Sequence, residues 1–290
     1  MGTKNNPVLT AAKPFLKWAG GKRKLVPELL RYAPRGIKGY HEPFVGAGAI
    51  FFELSSNLEN ENPTISDTNS RLIQCYEEIR DHVGEVLETL ETLEARHRED
   101  PKGTFLETRS RDWRLEEGPY LAASLIYLNK TCFNGLYRVN KDGFFNVPFN
   151  HQAKMPKICD VPNLLNVSRL LKQTFIYCEP FQAACQRAEY GNFYYFDPPY
   201  LPISATSNFT SYTQDGFRYI DHVDLRDCAI DLLEKGVHVL LSNSAAPAIR
   251  ELYADEKYFR IHEVNAARSI NSDGEGRGKI KEFIIEGIQQ

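Results

Sequence analysis

Asp197-Pro198-Pro199-Tyr200 presents a carboxylate, a prolyl carbonyl and an aromatic face within four residues. Proline lacks the N–H that a central strand needs, so the apolar run Asn192-Phe193-Tyr194-Tyr195-Phe196 must end as a strand at this point. Ligands of open α/β sheets bind at such carboxyl edges. The three groups suit methyl transfer to a planar exocyclic amine, whose nitrogen lone pair is delocalised into its ring. Two acceptors holding the amino hydrogens, a carboxylate and a prolyl carbonyl, would draw that nitrogen toward tetrahedral geometry and free the lone pair. The Tyr200 face holds the ring in line. A rigid turn with a capping aspartate is the blander explanation, and it leaves the joint presentation of the three groups unexplained.

A second cluster is Glu42-Pro43-Phe44-Val45-Gly46-Ala47-Gly48. It follows the strand-like Tyr40-His41-Glu42 and precedes the helical run Ala49 to Leu54, after which Thr64-Ile65-Ser66-Asp67 reads as a strand again. That order is a βαβ unit and predicts a parallel sheet. Gly46 and Gly48 allow a cofactor to approach the backbone closely, and Asp67 stands where an acid would accept ribose hydroxyls. Phe51 replaces the third glycine of the NAD fingerprint, while Leu16 and Arg23 break a Walker loop around Gly20-Gly21-Lys22. A nucleoside cofactor is indicated, and neither of those two motifs supplies it.

The elements that must position these groups can be read from periodicity. Val83, Val86, Leu87, Leu90 and Leu93, then Leu121, Ser124, Leu125 and Leu128, recur at helical spacing. Asp142-Gly143 is a hairpin-turn dipeptide in an aromatic and glycine-bearing stretch from Thr131 to Pro148. Strands are expected at Thr174 to Cys178 and Val237 to Leu241, helices at Val223 to Glu234 and Ala246 to Tyr253, and an antiparallel hairpin from Tyr258 to Val264 with Lys281 to Ile288. The sum is one α/β sheet interrupted by a helical insertion.

Composition is consistent with this. The chain has 290 residues, 42% hydrophobic and 25% charged, enough to bury a core. The longest apolar stretch, Pro43 to Phe52, is too short to span a bilayer, and the polar start lacks a signal peptide. No membrane partner and a cytoplasmic protein are expected. The six cysteines form no C-x-x-C pair, and Val45 stands where His41-Glu42 would need a second histidine, so no metal is expected. A net charge of −3 argues against a dedicated nucleic-acid binder. Basic residues nevertheless cluster at Lys13 to Lys24, at Lys130, Arg138, Lys141, Lys154 and Lys157, and at Arg268, Arg277, Lys279 and Lys281.

Together these motifs resemble the Dam-type DNA adenine-N6 methyltransferases of the D12 class, from Pro14 to about Ile285 and in that family's order. Pro14 to Lys22 is similar to its N-terminal cofactor motif, Glu42 to Gly48 to its glycine loop, and Asp67-Thr68-Asn69 to its ribose-binding acid. Asp197 to Tyr200 is similar to its catalytic motif, and Ser204 to Thr210 to the segment that follows it. The resemblance implies a class I S-adenosylmethionine-dependent methyltransferase, with a Rossmann-like α/β sheet and an inserted, mainly helical DNA-recognition domain carrying a β-hairpin. Residues 1-75 and 173-290 would be catalytic and 76-172 the insertion. It implies S-adenosylmethionine held by Trp18, Lys22, Phe44, Gly46, Gly48, Asp67, Phe181 and Asp197, with S-adenosylhomocysteine as product. Asp197, Pro198, Pro199 and Tyr200 would act on an adenine flipped out of double-stranded DNA.

In the insertion, Phe133-Asn134-Gly135-Leu136-Tyr137-Arg138 resembles the family's recognition hairpin. Phe133 would wedge between bases and Asn134 fill the vacated space. Arg138 would pair with a guanine, Leu136 and Pro148 would pack on a thymine methyl, and Lys17 would touch the other guanine. GATC is the site so implied, read by a monomer of bacterial or phage origin near the nucleoid. Relatives often carry Tyr at the place of Phe133, and residues 150 to 153 lack the basic and aromatic character expected there. Longer palindromes with a GAT-type core, an RNA amino group, and a DNA-binding regulator without catalysis are the competing readings. The wedge-bearing hairpin speaks against RNA, and intact Asp197, Tyr200 and glycine loop against an inactive regulator.

Overall fold

Parallel strands need long crossovers, and here those crossovers carry helices. The computed structural model describes residues 11–18, 20–55, 62–111, 115–151, 155–203, 217–267 and 279–289. The segment Ser204 to Thr210, singled out in the sequence, lies outside the described residues, as do Ala19, Lys154, Arg268 and Arg277. By internal contacts the chain divides into two compact units: Met1–Gly21, Ala47–Leu58 and Ser70–Thr174, and Lys22–Gly46, Glu59–Asn69 and Phe175–Gln290.

The second unit holds the whole sheet. Its strands are β1 (Gly39–Glu42), β2 (Thr64–Asp67), β3 (Phe175–Cys178), β4 (Asn192–Phe196), β5 (His238–Ser244), β6 (Phe259–Ala267) and β7 (Lys279–Gly287). They lie in the order β3-β2-β1-β4-β5-β7-β6. The first five are parallel, while β7 runs antiparallel to both β5 and β6, so the sheet is mixed. β4 is buried at every position because it lies between β1 and β5 with both faces covered. Short α1 (Val26–Leu29) and α8 (Phe181–Cys185), with α9 (Tyr219–Glu234) and α10 (Pro247–Leu252), complete this unit. Leu225, Ala229, Leu232 and Leu233 of α9 join Tyr194, Phe196, Val239 and Leu241 in its core. Truncating one such leucine to alanine costs about 2–5 kcal/mol. β5 runs to Ser244, beyond the expected end at Leu241, because pairing with β7 carries its polar end into the sheet.

The first unit is helical: α2 (Ala49–Ser55), α3 (Ser70–Asp81), α4 (Val83–Glu99), α5 (Pro101–Ser110), α6 (Gly118–Thr131) and α7 (Val161–Leu171). Residues 76-172 lie wholly within it. α6 is apolar on nearly every side and is buried along its length, as a central helix must be. The chain after α6 folds back through single bridges, Cys132 with Phe149 and Val139 with Phe145. Asp142-Gly143 does not close a two-residue turn. Asn140 and Phe144 flank a three-residue loop, Gly143 takes φ 84°, and the Asn140 side chain accepts from the N–H groups of Asp142 and Phe144. Among the described residues no helix is long and apolar enough to cross a membrane.

Candidate active site

Because β1, β2, β4 and β5 are parallel, Glu42, Asp67, Phe196 and Ser244 all end on one edge of the sheet. Strand order reverses between β1 and β4, so that edge contains a topological switch point, where open α/β sheets take ligands.

On the β1 side the loop is held by its own backbone. Val45 N–H donates to Ser66 C=O at 3.0 Å, and Gly46, at φ 48°, donates its N–H to Asp67 Oδ2 at 3.2 Å. The other oxygen of Asp67 accepts from Asn69 N–H at 2.9 Å. Burial pushes the Asp67 carboxyl up, and these backbone donors oppose that by favouring the charged form. Beneath the loop Tyr40 donates to the buried Glu42 at 2.6 Å. Phe44 lies 5.6 Å from both Phe181 and Phe217, forming an aromatic group beside β1. Phe181 thus opens α8 next to Phe44, and Phe217 is a further member that sequence reading did not find.

On the β4 side, Asp197 leaves the strand into Pro198, Pro199 and Tyr200. Its Oδ1 accepts from Lys22 Nζ at 2.9 Å and from Ser242 Oγ at 2.7 Å. The same lysine nitrogen lies 4.2 Å from the centroid of the Tyr200 ring, a cation–π contact. Lys22 is fixed at its backbone too, because its carbonyl accepts from Leu25 and Val26 N–H at the start of α1. Tyr200 donates to Glu282 Oε2 at 2.9 Å, and burial keeps its phenol well above the usual range, hence protonated. This cluster joins Lys22, Asp197 and Tyr200, three of the residues singled out by motif. It also contains Ser242 and Glu282, which were missed. The signal for Ser242 was present: a strand that changes from Val-Leu-Leu to Ser-Asn-Ser has polar groups at the ligand edge.

The remaining candidates belong to the first unit. Trp18 stacks on Tyr137 with ring centroids 5.0 Å apart, and Gly48 takes φ 68°, where a Cβ would lie tightly, 3.1 to 3.3 Å, against Tyr76, Phe52 and Phe51. The buried Asn129 side chain accepts from Lys17 N–H at 2.8 Å and donates to the carbonyls of Lys17 and Gly135, at 2.8 and 2.9 Å. A Cβ on Gly135 would come 2.5 Å from the Lys17 side chain. Lys17 and the hairpin are therefore one assembly. Phe133 donates its N–H to Pro148 C=O at 2.9 Å and is 42% exposed. Asn134 takes φ 55°, the left-handed region asparagine tolerates, and Leu136 is half-buried. Arg138 is exposed, its Nε donating to Asn146 Oδ1 at 2.6 Å and its Nη2 to the Asn146 carbonyl at 3.1 Å. Asn129 was missed as well, since an asparagine within a helical repeat gives no sign of what it meets.

Comparison with known proteins agrees with the motif order. The family described as D12 class N6 adenine-specific DNA methyltransferase matches residues 18–270. The chain is 42% identical to the Type II methyltransferase M1.LlaDCHI of Lactococcus lactis subsp. cremoris, covering 94% of each chain. It is 39% identical to the Type II methyltransferase M.MjaIII of Methanocaldococcus jannaschii, over 91% of this chain and 95% of that one. Identity to the DNA adenine methylase of Escherichia coli strain K12 is 34%, covering 94% of each.

Proposed function

Because the chain belongs to the D12 class of N6 adenine-specific DNA methyltransferases, enzymes that use S-adenosylmethionine, we propose that it methylates the adenine of GATC in double-stranded DNA. One observation carries the site assignment. The nitrogen of Lys22 lies 2.9 Å from the Asp197 carboxylate and 4.2 Å from the centroid of the Tyr200 ring, so a nitrogen donor on Asp197 already sits against the ring on which the base would stack.

The residues fit the methyl donor. An adenosine needs a flat apolar surface and an acceptor for its ribose hydroxyls, and Phe44, Phe181 and the Asp67 carboxylate offer these at neighbouring strand ends. Lys22, Gly46 and Asp197 are assigned to the same pocket, while Trp18 and Gly48 are assigned on the sequence motif alone. When bound, S-adenosylmethionine supplies an electrophilic methyl group, so that its C–S bond breaks as the N6–C bond forms and S-adenosylhomocysteine remains.

The protein's part is to hold the amine. Asp197 and the Pro198 carbonyl accept its two hydrogens, and one is lost as a proton after transfer. Pro199 keeps the loop extended, having neither an N–H to divert nor freedom in φ. Tyr200 stacks on the base, and Lys22 yields its place to the incoming nitrogen. In this reading residues 76-172 recognise DNA as an insertion in the catalytic domain, and a single chain suffices. Lys17 and Arg138 reach the guanines, Leu136 and Pro148 the thymine methyl, and Phe133 with Asn134 takes the vacated space.

Methylation of plasmid DNA with labelled S-adenosylmethionine, mapped base by base, tests this. Label confined to the adenine of GATC is the expected result. Adenine label at a longer or different site would leave the chemistry standing and remove the readout assignments.

A further inference from the structure

A loop with two consecutive prolines cannot be tied down by its own N–H groups, because Pro198 and Pro199 have none. Three successive side chains of β5 tie it down instead. Ser242 Oγ donates to Asp197 Oδ1 at 2.7 Å. Asn243 Oδ1 accepts from Leu201 N–H at 3.3 Å, and Ser244 Oγ donates to Leu201 C=O at 2.5 Å. The loop is thus held at both ends, at the carboxylate of its first residue and at both backbone groups of its last. The Pro198 carbonyl lies between.

The direction of these bonds can be worked out. Ser242 has one hydrogen, and an ionised carboxylate only accepts, so that hydrogen goes to Asp197. Tyr195 OH, 2.9 Å from Ser242 Oγ, must then be the donor of that pair. Burial holds the Tyr195 phenol well above the usual range, so its proton stays available. The chain therefore runs from Tyr195 to Ser242 to Asp197 in one direction. Asn243 is oriented in the same way: its oxygen meets the N–H groups of Leu201 and Ser244, which turns its NH₂ toward His222 Nδ1 at 3.3 Å. His222 sits fully buried behind it.

We infer that Ser242-Asn243-Ser244 is the positioning element of methyl transfer, with Ser242 fixing the Asp197 carboxylate so that the second lone pair of Oδ1 faces the Tyr200 ring. Lys22 Nζ now occupies that second position. The inference rests on the proposed role of Asp197 as acceptor of the amino hydrogen. Ser242 does not touch the base; it acts through Asp197. Free to rotate, the carboxylate would meet the amine off line, and misplacement of that kind slows transfer without weakening binding.

The test is single-turnover methyl transfer to a duplex with one target adenine, with dissociation constants for S-adenosylmethionine and DNA measured beside it. A hydrogen bond to a charged group predicts that Ser242→Ala slows transfer about 10- to 100-fold. Both dissociation constants should change less than about threefold, since uniform binding is not what it supplies. Ser242→Thr, which keeps the hydroxyl, should recover most of the rate, and Tyr195→Phe should give a smaller loss than Ser242→Ala. Thermal melts of each variant separate misfolding from mispositioning. Wild-type transfer by Ser242→Ala would overturn the inference, and so would a loss found only in the dissociation constants. Asp197→Ala is run in parallel: if it keeps full activity the parent reading fails. If it is inactive while Ser242→Ala is not, only the positioning role fails.

Discussion

Lys22 Nζ stands 2.9 Å from Asp197 Oδ1, with the lysine side chain 5% and the aspartate side chain 20% exposed. A cation this well buried survives only if it is paired, and its partner is the carboxylate on which the proposed chemistry depends. Removing either member leaves the other partly desolvated. Lys22→Met should therefore destabilise the protein by about 1–3 kcal/mol, between the exposed and fully buried limits for an ion pair. Urea unfolding of Lys22→Met, Asp197→Asn and the double variant checks this. Strictly additive losses would show that the two residues do not interact.

Tyr200 makes two separable contributions. Its hydroxyl is bound to Glu282, and its ring is the proposed stacking surface. Tyr200→Phe should retain transfer to within about fivefold, the cost of one ordinary hydrogen bond. Tyr200→Ala should lower turnover on duplex DNA by at least about tenfold, given what a base–aromatic stack contributes. Cofactor affinity, measured by calorimetry, should be nearly unchanged in both. A large loss of cofactor binding in the alanine form would contradict the stacking role.

Arg138 is exposed and held by Asn146 through both its Nε and its Nη2, which fixes the plane of its guanidinium. Arg138→Ala is expected to relax discrimination at one guanine by about 10- to 200-fold, as loss of a bidentate contact should. Methylation rates on substrates altered at single positions measure this. A uniform loss on all sequences would identify a phosphate contact instead.

Acid should destabilise the fold through His222. Burial lowers its pKa from 6.5 to about 4, and His41, stacked on Tyr194 and also desolvated, is lowered to about 4. The unfolded chain takes up these protons near pH 6.5, while the folded protein refuses them until about pH 4. Their stabilising effect is complete above pH 6.5 and drains away as pH falls toward 4, by up to about 3 kcal/mol for His222. Urea midpoints between pH 7 and pH 4 should fall steeply, and less steeply in His222→Gln. An unchanged slope would mean that another group carries the acid sensitivity.

Much of this protein was legible before any coordinates. Glycines between a strand and a helix, an acid ending the next strand, and prolines ending an apolar run are local signals, each with a backbone reason that neighbours in sequence supply. They singled out Gly46, Asp67 and Asp197, which the fold brings to one edge of the sheet, and the order of the motifs pointed to the family. Apolar runs ended by turn residues gave the strands of the sheet, and apolar spacing gave five of the ten helices among the described residues, because burial of one face or of both is written into adjacent residues.

What local order could not decide is which distant side chain completes each group. Ser242 and Lys22 meet on one oxygen of Asp197 although all three lie far apart in the chain. Asn129 reaches Lys17, 112 residues away in the chain, and joins it to Gly135. Glu282 reaches Tyr200 only because β7 is inserted antiparallel beside β5. Periodicity constrains the few residues around a position, whereas such contacts depend on strand order and register, which are set by the packing of the sheet as a whole. The carboxylate, carbonyls and aromatic face at the β4 edge are legible in four adjacent residues; the side chains that hold them in place are chosen by how the strands pack.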